Sequence, residues 1–172
     1  MGKLDERAFA ATVAGCKKCD AKVFEVATFI DRKVAVMLGE PQDDGRWTHD
    51  GKNFIDGIYR VQCVRCRGEQ FASATCPRCD RGRLSDVIGK PSRMAVPKRC
   101  PGCKGVHLTV TGFAPAVLRI GERRPASPTP TALFGHPSFH IAQIVCETCD
   151  WVTVAEGCPL CANAGPLRPR PA

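Results

Sequence analysis

The twelve cysteines of this 172-residue chain limit what it can fold into more than any other feature. Every cysteine belongs to a Cys-x2-Cys pair. Such a turn, here called a knuckle, places two thiolates on one side of a backbone loop, and two knuckles complete a tetrahedral zinc site. The sequence therefore predicts three Zn²⁺ ions, each held by four cysteines. The six knuckles are Cys16/Cys19, Cys63/Cys66, Cys76/Cys79, Cys100/Cys103, Cys146/Cys149 and Cys158/Cys161.

Disulfides are the competing interpretation of so many cysteines, and two observations favour metal. Disulfide cysteines would not all share one spacing, and the charged start of the chain is not followed by the apolar segment of a secretory signal. Metal thiolates in a reducing compartment fit better, which predicts a cytoplasmic protein. No apolar run approaches the length of a transmembrane helix, so we expect no membrane partner.

The spacing of the knuckles repeats along the chain. The first and second knuckles are separated by 43 residues and the fourth and fifth by 42, while the second and third are separated by 9 and the fifth and sixth by 8. This order predicts a tandem duplication, with one repeat over residues 1–90 and another over residues 91–172. The Pro- and Arg-containing end, from about residue 162, is expected to be a flexible tail.

The pattern of apolar and β-branched residues predicts a small β-rich fold stapled by metal. With aromatic residues at only 6%, the chain has little material for a large core and needs such staples. Residues 31–32 are expected to turn the chain between two strands, 39–53 and 121–138 to be loops, and 4–14 to form a short helix. Strands are predicted over residues 22–30, 33–38, 54–62, 69–73, 106–113, 116–120, 139–145 and 151–155.

Two parts of the chain resemble a short zinc ribbon, namely Cys63/Cys66 with Cys76/Cys79, and Cys146/Cys149 with Cys158/Cys161. In both, a proline follows the first cysteine of the closing knuckle, as is common in that family. The whole chain resembles a double zinc-ribbon protein, although it has a third knuckle in each half. The resemblance implies a structural metal, two tandem zinc-ribbon-like modules, and a role beside nucleic-acid or translation machinery.

Spacing leaves two ways of pairing the knuckles. In the favoured one, the short inserts close on themselves because loop closure is easiest there, and Cys16/Cys19 meets Cys100/Cys103 in a bridging site. In the rival one, the first and second knuckles of each half pair through antiparallel strands, and the third knuckles, Cys76/Cys79 and Cys158/Cys161, meet each other.

Positive charge is concentrated in the middle of the chain. Three zinc sites, at about −2 each, lower the formal net charge from +8 to about +2, but residues 61–104 contain ten Lys or Arg and three Asp or Glu. Arginines on knuckle loops can contact phosphates or an acidic partner, or they can offset the thiolate charge. The candidate binding residues are Arg65, Arg67, Arg78, Arg81, Arg83 and Arg99.

No catalytic motif stands out, so we expect a binding protein and not an enzyme. The chain has no Gly-rich phosphate loop, and four cysteines per metal leave no open coordination position for a substrate. The sequence favours a zinc adaptor that contacts nucleic acid, or a protein that handles it, through residues 61–104. The alternatives are a scaffold subunit of a larger protein complex and a rubredoxin-like carrier with one iron per four cysteines.

Overall fold

The computed structural model describes residues 10–11, 14–42, 57–90, 92–121 and 139–164. These residues form one antiparallel sheet of seven strands, so the β-rich class predicted from the sequence is confirmed. The strands are β1 (Phe24–Met37), β2 (Glu40–Gln42), β3 (Ile58–Cys63), β4 (Glu69–Ala72), β5 (His107–Ile120), β6 (His140–Cys146) and β7 (Val152–Val154). Within these ranges no helix is long and apolar enough to cross a membrane.

The order of the strands shows an internal twofold symmetry. The sheet runs β4-β3-β1-β5-β6-β7, and β2 pairs with the remaining edge of β1. β1 and β5 pair antiparallel over their whole length, from Phe24 opposite Ile120 to Met37 opposite His107. The pseudo-twofold axis passes through the Ile30–Ala114 pair and relates β1 to β5, β3 to β6, and β4 to β7.

The duplicated order of elements is thus present, but both halves contribute to one continuous sheet. The boundary near residue 90 lies in the connection between β4 and β5, which contains a single 3₁₀ turn, Leu84–Asp86. That residues 1–90 and residues 91–172 are two independent modules remains a prediction.

The turn predicted at residues 31–32 and the break predicted between residues 113 and 116 are wrong, because each lies inside one continuous strand. Asp31 and Arg32 stand inside β1, opposite Phe113 and Gly112, and Arg32 is only 1% exposed. In β5 the gap expected before residue 116 is also strand, and Pro115 pairs opposite Phe29. β6 follows β5 only as far as Phe113, so the missing N–H of Pro115 falls where β5 pairs with β1 alone, which is where a sheet tolerates proline.

Several other expectations fall partly or wholly outside the described residues. Of the helix predicted over residues 4–14, the structure describes residues 10, 11 and 14, and the Ala14 N–H donates to the Ala10 carbonyl as in a helical turn. The predicted loop over residues 39–53 begins with β2, a strand the sequence did not indicate. The remainder of that loop, nearly all of the loop over 121–138 and most of the tail lie outside the described ranges.

The side chains of β1 and β5 alternate between two apolar regions, as extended strands require. One face carries two clusters related by the pseudo-twofold axis, one around Phe24 and Val26 and the other around Leu108 and Val110. The opposite face carries one cluster at the axis, in which Phe29 and Phe113 pack against the third and sixth knuckles. Cysteines belong to all three clusters, so the metal sites and the core are continuous.

Candidate metal centres

The six knuckles meet in three groups of four cysteines. In each group, the four sulfur atoms lie within 4.8 Å of one another. We call the groups site 1, site 2 and the central site. Site 1 contains Cys16, Cys19, Cys63 and Cys66; site 2 contains Cys100, Cys103, Cys146 and Cys149; and the central site contains Cys76, Cys79, Cys158 and Cys161.

The sulfur geometry fits a tetrahedral metal ion. A Zn–S bond of about 2.3 Å implies sulfur atoms about 3.8 Å apart in a regular tetrahedron. Across the knuckles, the closest sulfur pairs are 3.4 Å apart in site 1 (Cys16 to Cys66), 3.6 Å in site 2 (Cys100 to Cys149) and 3.4 Å in the central site (Cys79 to Cys161). Each group therefore suits one ion bound by thiolates, with zinc and iron equally compatible.

Each knuckle is held by a repeated set of backbone hydrogen bonds. At site 1, the Cys16 N–H donates to the Ala21 carbonyl, and the Cys16 carbonyl accepts from the Asp20 N–H. The Lys18 N–H then points at the Cys16 sulfur, 3.4 Å away. In the other five knuckles, the N–H of the first cysteine likewise donates to a carbonyl five or six residues on, at Gly68, Gly82, Gly105, Trp151 and Asn163.

A left-handed residue closes five of the six knuckles. This residue follows the second cysteine directly, and its φ lies between 56° and 62° in all five cases. Glycine adopts this conformation without a steric cost, whereas a side chain makes it less favourable. The five residues are Asp20, Arg67, Asp80, Lys104 and Ala162.

The backbone N–H groups favour the thiolate form that binds metal. The hydrogen bond from the Lys18 N–H lowers the pKa of Cys16 to about 6, and the one from the Thr148 N–H does the same for Cys146. In the central site, the hydrogen bond from the Cys76 thiol lowers the pKa of Cys158 to about 5. Each site thus contains at least one thiol that ionises near or below neutral pH.

The favoured pairing of the knuckles is wrong, and the rival pairing is the observed one. Cys63/Cys66 joins Cys16/Cys19 in site 1, while Cys76/Cys79 joins Cys158/Cys161 across the two halves. The short insert does not close on itself because β4 carries the chain away from the Cys63/Cys66 turn to the far end of the β3–β4 hairpin.

Loop length favours one pairing of the knuckles over the other only weakly. Closing a loop of 43 residues instead of 9 costs only about 1.4 kcal/mol more in chain entropy. Metal binding to such sites contributes about 10–16 kcal/mol, and the sheet fixes which knuckles stand side by side.

The central site differs from the other two in position and burial. It takes one knuckle from each half, and these knuckles are related by the pseudo-twofold axis. None of its cysteines is more than 8% exposed, whereas Cys66 in site 1 and Cys103 in site 2 are exposed. Gly82 leaves room for the central site, because a Cβ on residue 82 would overlap the Cys161 sulfur.

The six candidate arginines are distributed over all three sites. Arg65 and Arg67 lie on a knuckle of site 1, Arg99 precedes the first knuckle of site 2, and the others lie around the central site. The guanidinium of Arg67 pairs with Glu25 at 2.9 Å. Arg78 lies over the Phe113 ring, 5.5 Å from its centroid, and the Arg99 guanidinium donates to the Lys104 carbonyl.

Two cations of site 1 were missed by the sequence analysis. Lys17 and Lys18 lie inside the first knuckle, which the favoured pairing put next to Cys100/Cys103. The observed pairing places them beside Arg65 and Arg67 instead. The signal in the sequence is the rival pairing, which places Lys17 and Lys18 next to Arg65 and Arg67.

A histidine that was not singled out for a role is buried beside the central site. His140 is 3% exposed, its Nε2 lies 3.2 Å from the Val87 carbonyl, and its ring meets that of Phe29 edge-on. Burial lowers the pKa of His140, so the ring is neutral at physiological pH. It borders a cleft of about 480 Å³ whose charged groups are of both signs, including Lys90, Arg93 and Glu156.

Comparison with known proteins adds no family to this geometry. The Cys-x2-Cys spacing of the knuckles is zinc-ribbon-like, and the cysteine groups support metal binding without identifying a tandem zinc-ribbon family. No protein-family model matches the chain, and neither a curated protein nor a solved structure is significantly similar to it.

Proposed function

We propose that this protein is a structural metal-binding adaptor that contacts nucleic acid, or a protein that handles it. The observation that carries the proposal is the set of three four-cysteine sites built into the apolar core. Each group supplies four protein ligands, which is the composition of structural zinc sites; catalytic zinc keeps a position for water or substrate. The metals then act by fixing the sheet and its loops.

The charge of the chain supports nucleic acid as the partner. Residues 61–104 carry ten Lys or Arg against three Asp or Glu, and several of these cations stand on knuckle loops whose backbone is already fixed. A fixed loop loses little conformational entropy when its cations contact phosphates.

Affinity purification of the tagged, metal-loaded protein from native lysate, with and without nuclease, tests this proposal. We expect nucleic acid in the untreated eluate, and we expect any co-purifying protein to be reduced by nuclease or to be a nucleic-acid-binding protein. A partner set that is unchanged by nuclease and contains no such protein would favour a scaffold of a purely protein complex.

The identity of the metal is tested on the same preparation. Elemental analysis should find zinc, and the protein should be colourless. Iron, with the visible charge-transfer bands of an iron–thiolate centre, would favour the rubredoxin-like electron carrier.

A further inference from the structure

Site 1 and site 2 are related by the pseudo-twofold axis, yet their knuckles carry opposite charge. The knuckle loops of site 1 contain four cations and one carboxylate, whereas those of site 2 contain one cation and two carboxylates. In site 1 these residues are Lys17, Lys18, Arg65, Arg67 and Asp20. The equivalent positions of site 2 hold, in the same order, Pro101, Gly102, Thr148, Asp150 and Lys104, and Glu147 of site 2 stands where site 1 has Val64.

This comparison argues against thiolate charge as the main reason for the cations of site 1. Both sites have four cysteines, a hydrogen bond from the N–H of the first cysteine of each knuckle to a carbonyl five residues on, and similar distances between sulfur atoms. If the lysines and arginines served mainly to offset thiolate charge, site 2 would need them equally. The positive charge of site 1 therefore indicates a binding partner other than the thiolates.

The cations of site 1 lie close together on one exposed surface. The two knuckles are joined by Gln70, whose Oε1 accepts from the Lys17 N–H and whose Nε2 donates to the Cys16 sulfur. The Lys18 side chain reaches the second knuckle, since a Cβ on Gly68 would be 3.1 Å from its Cδ.

Most of these cations are available to a ligand. Lys17, Lys18 and Arg65 are exposed, as is Cys66 between them, and no described residue forms an ion pair with any of the three. Arg67, by contrast, is paired with Glu25, which also contacts Arg119 at 3.5 Å.

We propose that the surface formed by Lys17, Lys18 and Arg65 at site 1 binds the phosphate backbone of single-stranded nucleic acid. A flexible strand can bring successive phosphates to three cations on two adjoining loops, whereas a duplex holds its phosphates in a fixed array. The aromatic rings of the adjoining core cluster, Phe24 and Phe71, are buried, so the described residues of this surface offer no ring on which a base could stack. Binding is therefore insensitive to base sequence.

This inference rests on the proposed function, and its test separates the two. The probe is a fluorescent single-stranded RNA of mixed sequence, titrated with the full-length, metal-loaded protein at several salt concentrations, with duplex DNA as a second probe. The site 1 variant is Lys17→Gln/Lys18→Gln/Arg65→Gln. The matched control, Lys33→Gln/Lys90→Gln/Arg93→Gln, removes three exposed cations that lie away from site 1 and are not among the candidate binding residues.

We expect the site 1 variant to bind RNA at least about tenfold more weakly at low salt, with the slope of log affinity against log salt reduced by about 2. The control should stay within about twofold of the wild type, and both variants should keep the metal content of the wild type.

Each other outcome overturns the inference in a distinct way. Loss of metal from the site 1 variant would show that its cations serve the thiolates. Weak binding by the control alone would place the contact outside site 1 and leave the proposed function standing. Preference for duplex DNA would refute the single-stranded ligand. A wild-type protein that binds neither probe at low salt would refute the proposed nucleic-acid contact altogether.

Discussion

At the scale of single residues, the knuckles combine strong ligands with strained backbone. Five left-handed positions are occupied by residues other than glycine, and one of them, Ala162, has no side-chain group that could compensate. The metal and the hydrogen bonds around Cys158 hold it there: the Ala162 N–H donates to the Cys158 carbonyl at 2.7 Å. Part of the free energy of metal binding thus offsets the unfavourable left-handed backbone conformation at Ala162.

Replacing Ala162 by glycine should relieve this strain. We expect Ala162→Gly to raise the free energy of unfolding by about 0.5–1 kcal/mol, because the loss of the Cβ clash outweighs the added chain entropy of glycine. Chemical unfolding of the metal-loaded protein measures it. The same substitution at Ala35, an exposed residue inside β1, should instead destabilise by about 0.5–1 kcal/mol, and equal effects at both positions would contradict the argument.

His140 should make stability depend on pH in the acidic range. Its folded pKa is lowered by burial, so the unfolded chain, with a pKa of about 6.5, binds more protons as the pH falls. The contribution of His140 to the free energy of unfolding is present above about pH 6.5 and is lost as the pH falls below that value, towards the folded pKa. Between about pH 7.5 and pH 5.5, the wild type should lose up to about 1.4 kcal/mol more free energy of unfolding than His140→Gln, the limit set by the unfolded pKa. Comparison of the two proteins cancels the effect of acid on the cysteines. Parallel losses would show that the ring takes up its proton as readily in the folded protein as in the unfolded chain.

At the scale of elements, equivalent irregularities shape the two halves of the sheet. The β1–β3 ladder shifts register between Ala27 and Thr28, and the β5–β6 ladder shifts between Thr111 and Gly112. Tyr59 and Ala142 are the extra residues, and both pack beside the cluster around the central site. These bulges thus bring one residue of β3 and one of β6 against the cluster that contains the cysteines of the central site.

Gly112 should be essential to the second bulge, because a Cβ there would overlap the His140 carbonyl. We expect Gly112→Ala to lower the free energy of unfolding by about 2–4 kcal/mol, since the obstacle is backbone and not a side chain that can move. The neighbouring Thr111→Ala should cost less than about 1 kcal/mol. Thermal unfolding of both variants measures the two losses of stability. A loss in Gly112→Ala as small as that in Thr111→Ala would mean that β6 can move outward.

The sequence predicted the ligands and most strands because both depend on local patterns. Cys-x2-Cys spacing specifies a knuckle by itself, and runs such as those of β3 and β6 show their β character within a few residues. The unbroken course of β1 through Asp31 and Arg32 could not be seen locally, since polar residues there are kept extended by fourteen paired residues of β5. Pairing of the knuckles likewise depended on which strands lie side by side.

At the scale of the whole molecule, the central site and the β1–β5 ladder join the halves. Fully loaded protein should contain three metal ions, as elemental analysis can establish. Gly82→Ala should reduce the content to two, because the added methyl group displaces the Cys161 sulfur from the central site. Gly102→Ala, where a Cβ would lie 3.5 Å from the Cys149 sulfur at site 2, should retain three. Three ions in the Gly82 variant would show that the sulfur can shift and still bind.

Residues 1–90 alone should not form a stable monomer. This fragment contains site 1 complete, but its β1 lacks the partner strand β5, and Cys76/Cys79 lack the other half of the central site. We expect two copies to associate through β1, about an axis through Ile30, with three metal ions per dimer. Light scattering and native mass spectrometry report mass and metal content together. A folded monomer with one ion would establish the half as an independent module.

The long separation between the two knuckles of the central site also has a consequence in time. Cys79 and Cys158 are separated by 78 residues, against 43 and 42 for the inserts that sites 1 and 2 close. Sites 1 and 2 each form within one half, whereas the central site requires that β1 and β5 have already paired. During folding from the metal-free state, we therefore expect the two outer ions to be captured early and the central ion to arrive last, in a step whose rate is set by the docking of the two halves.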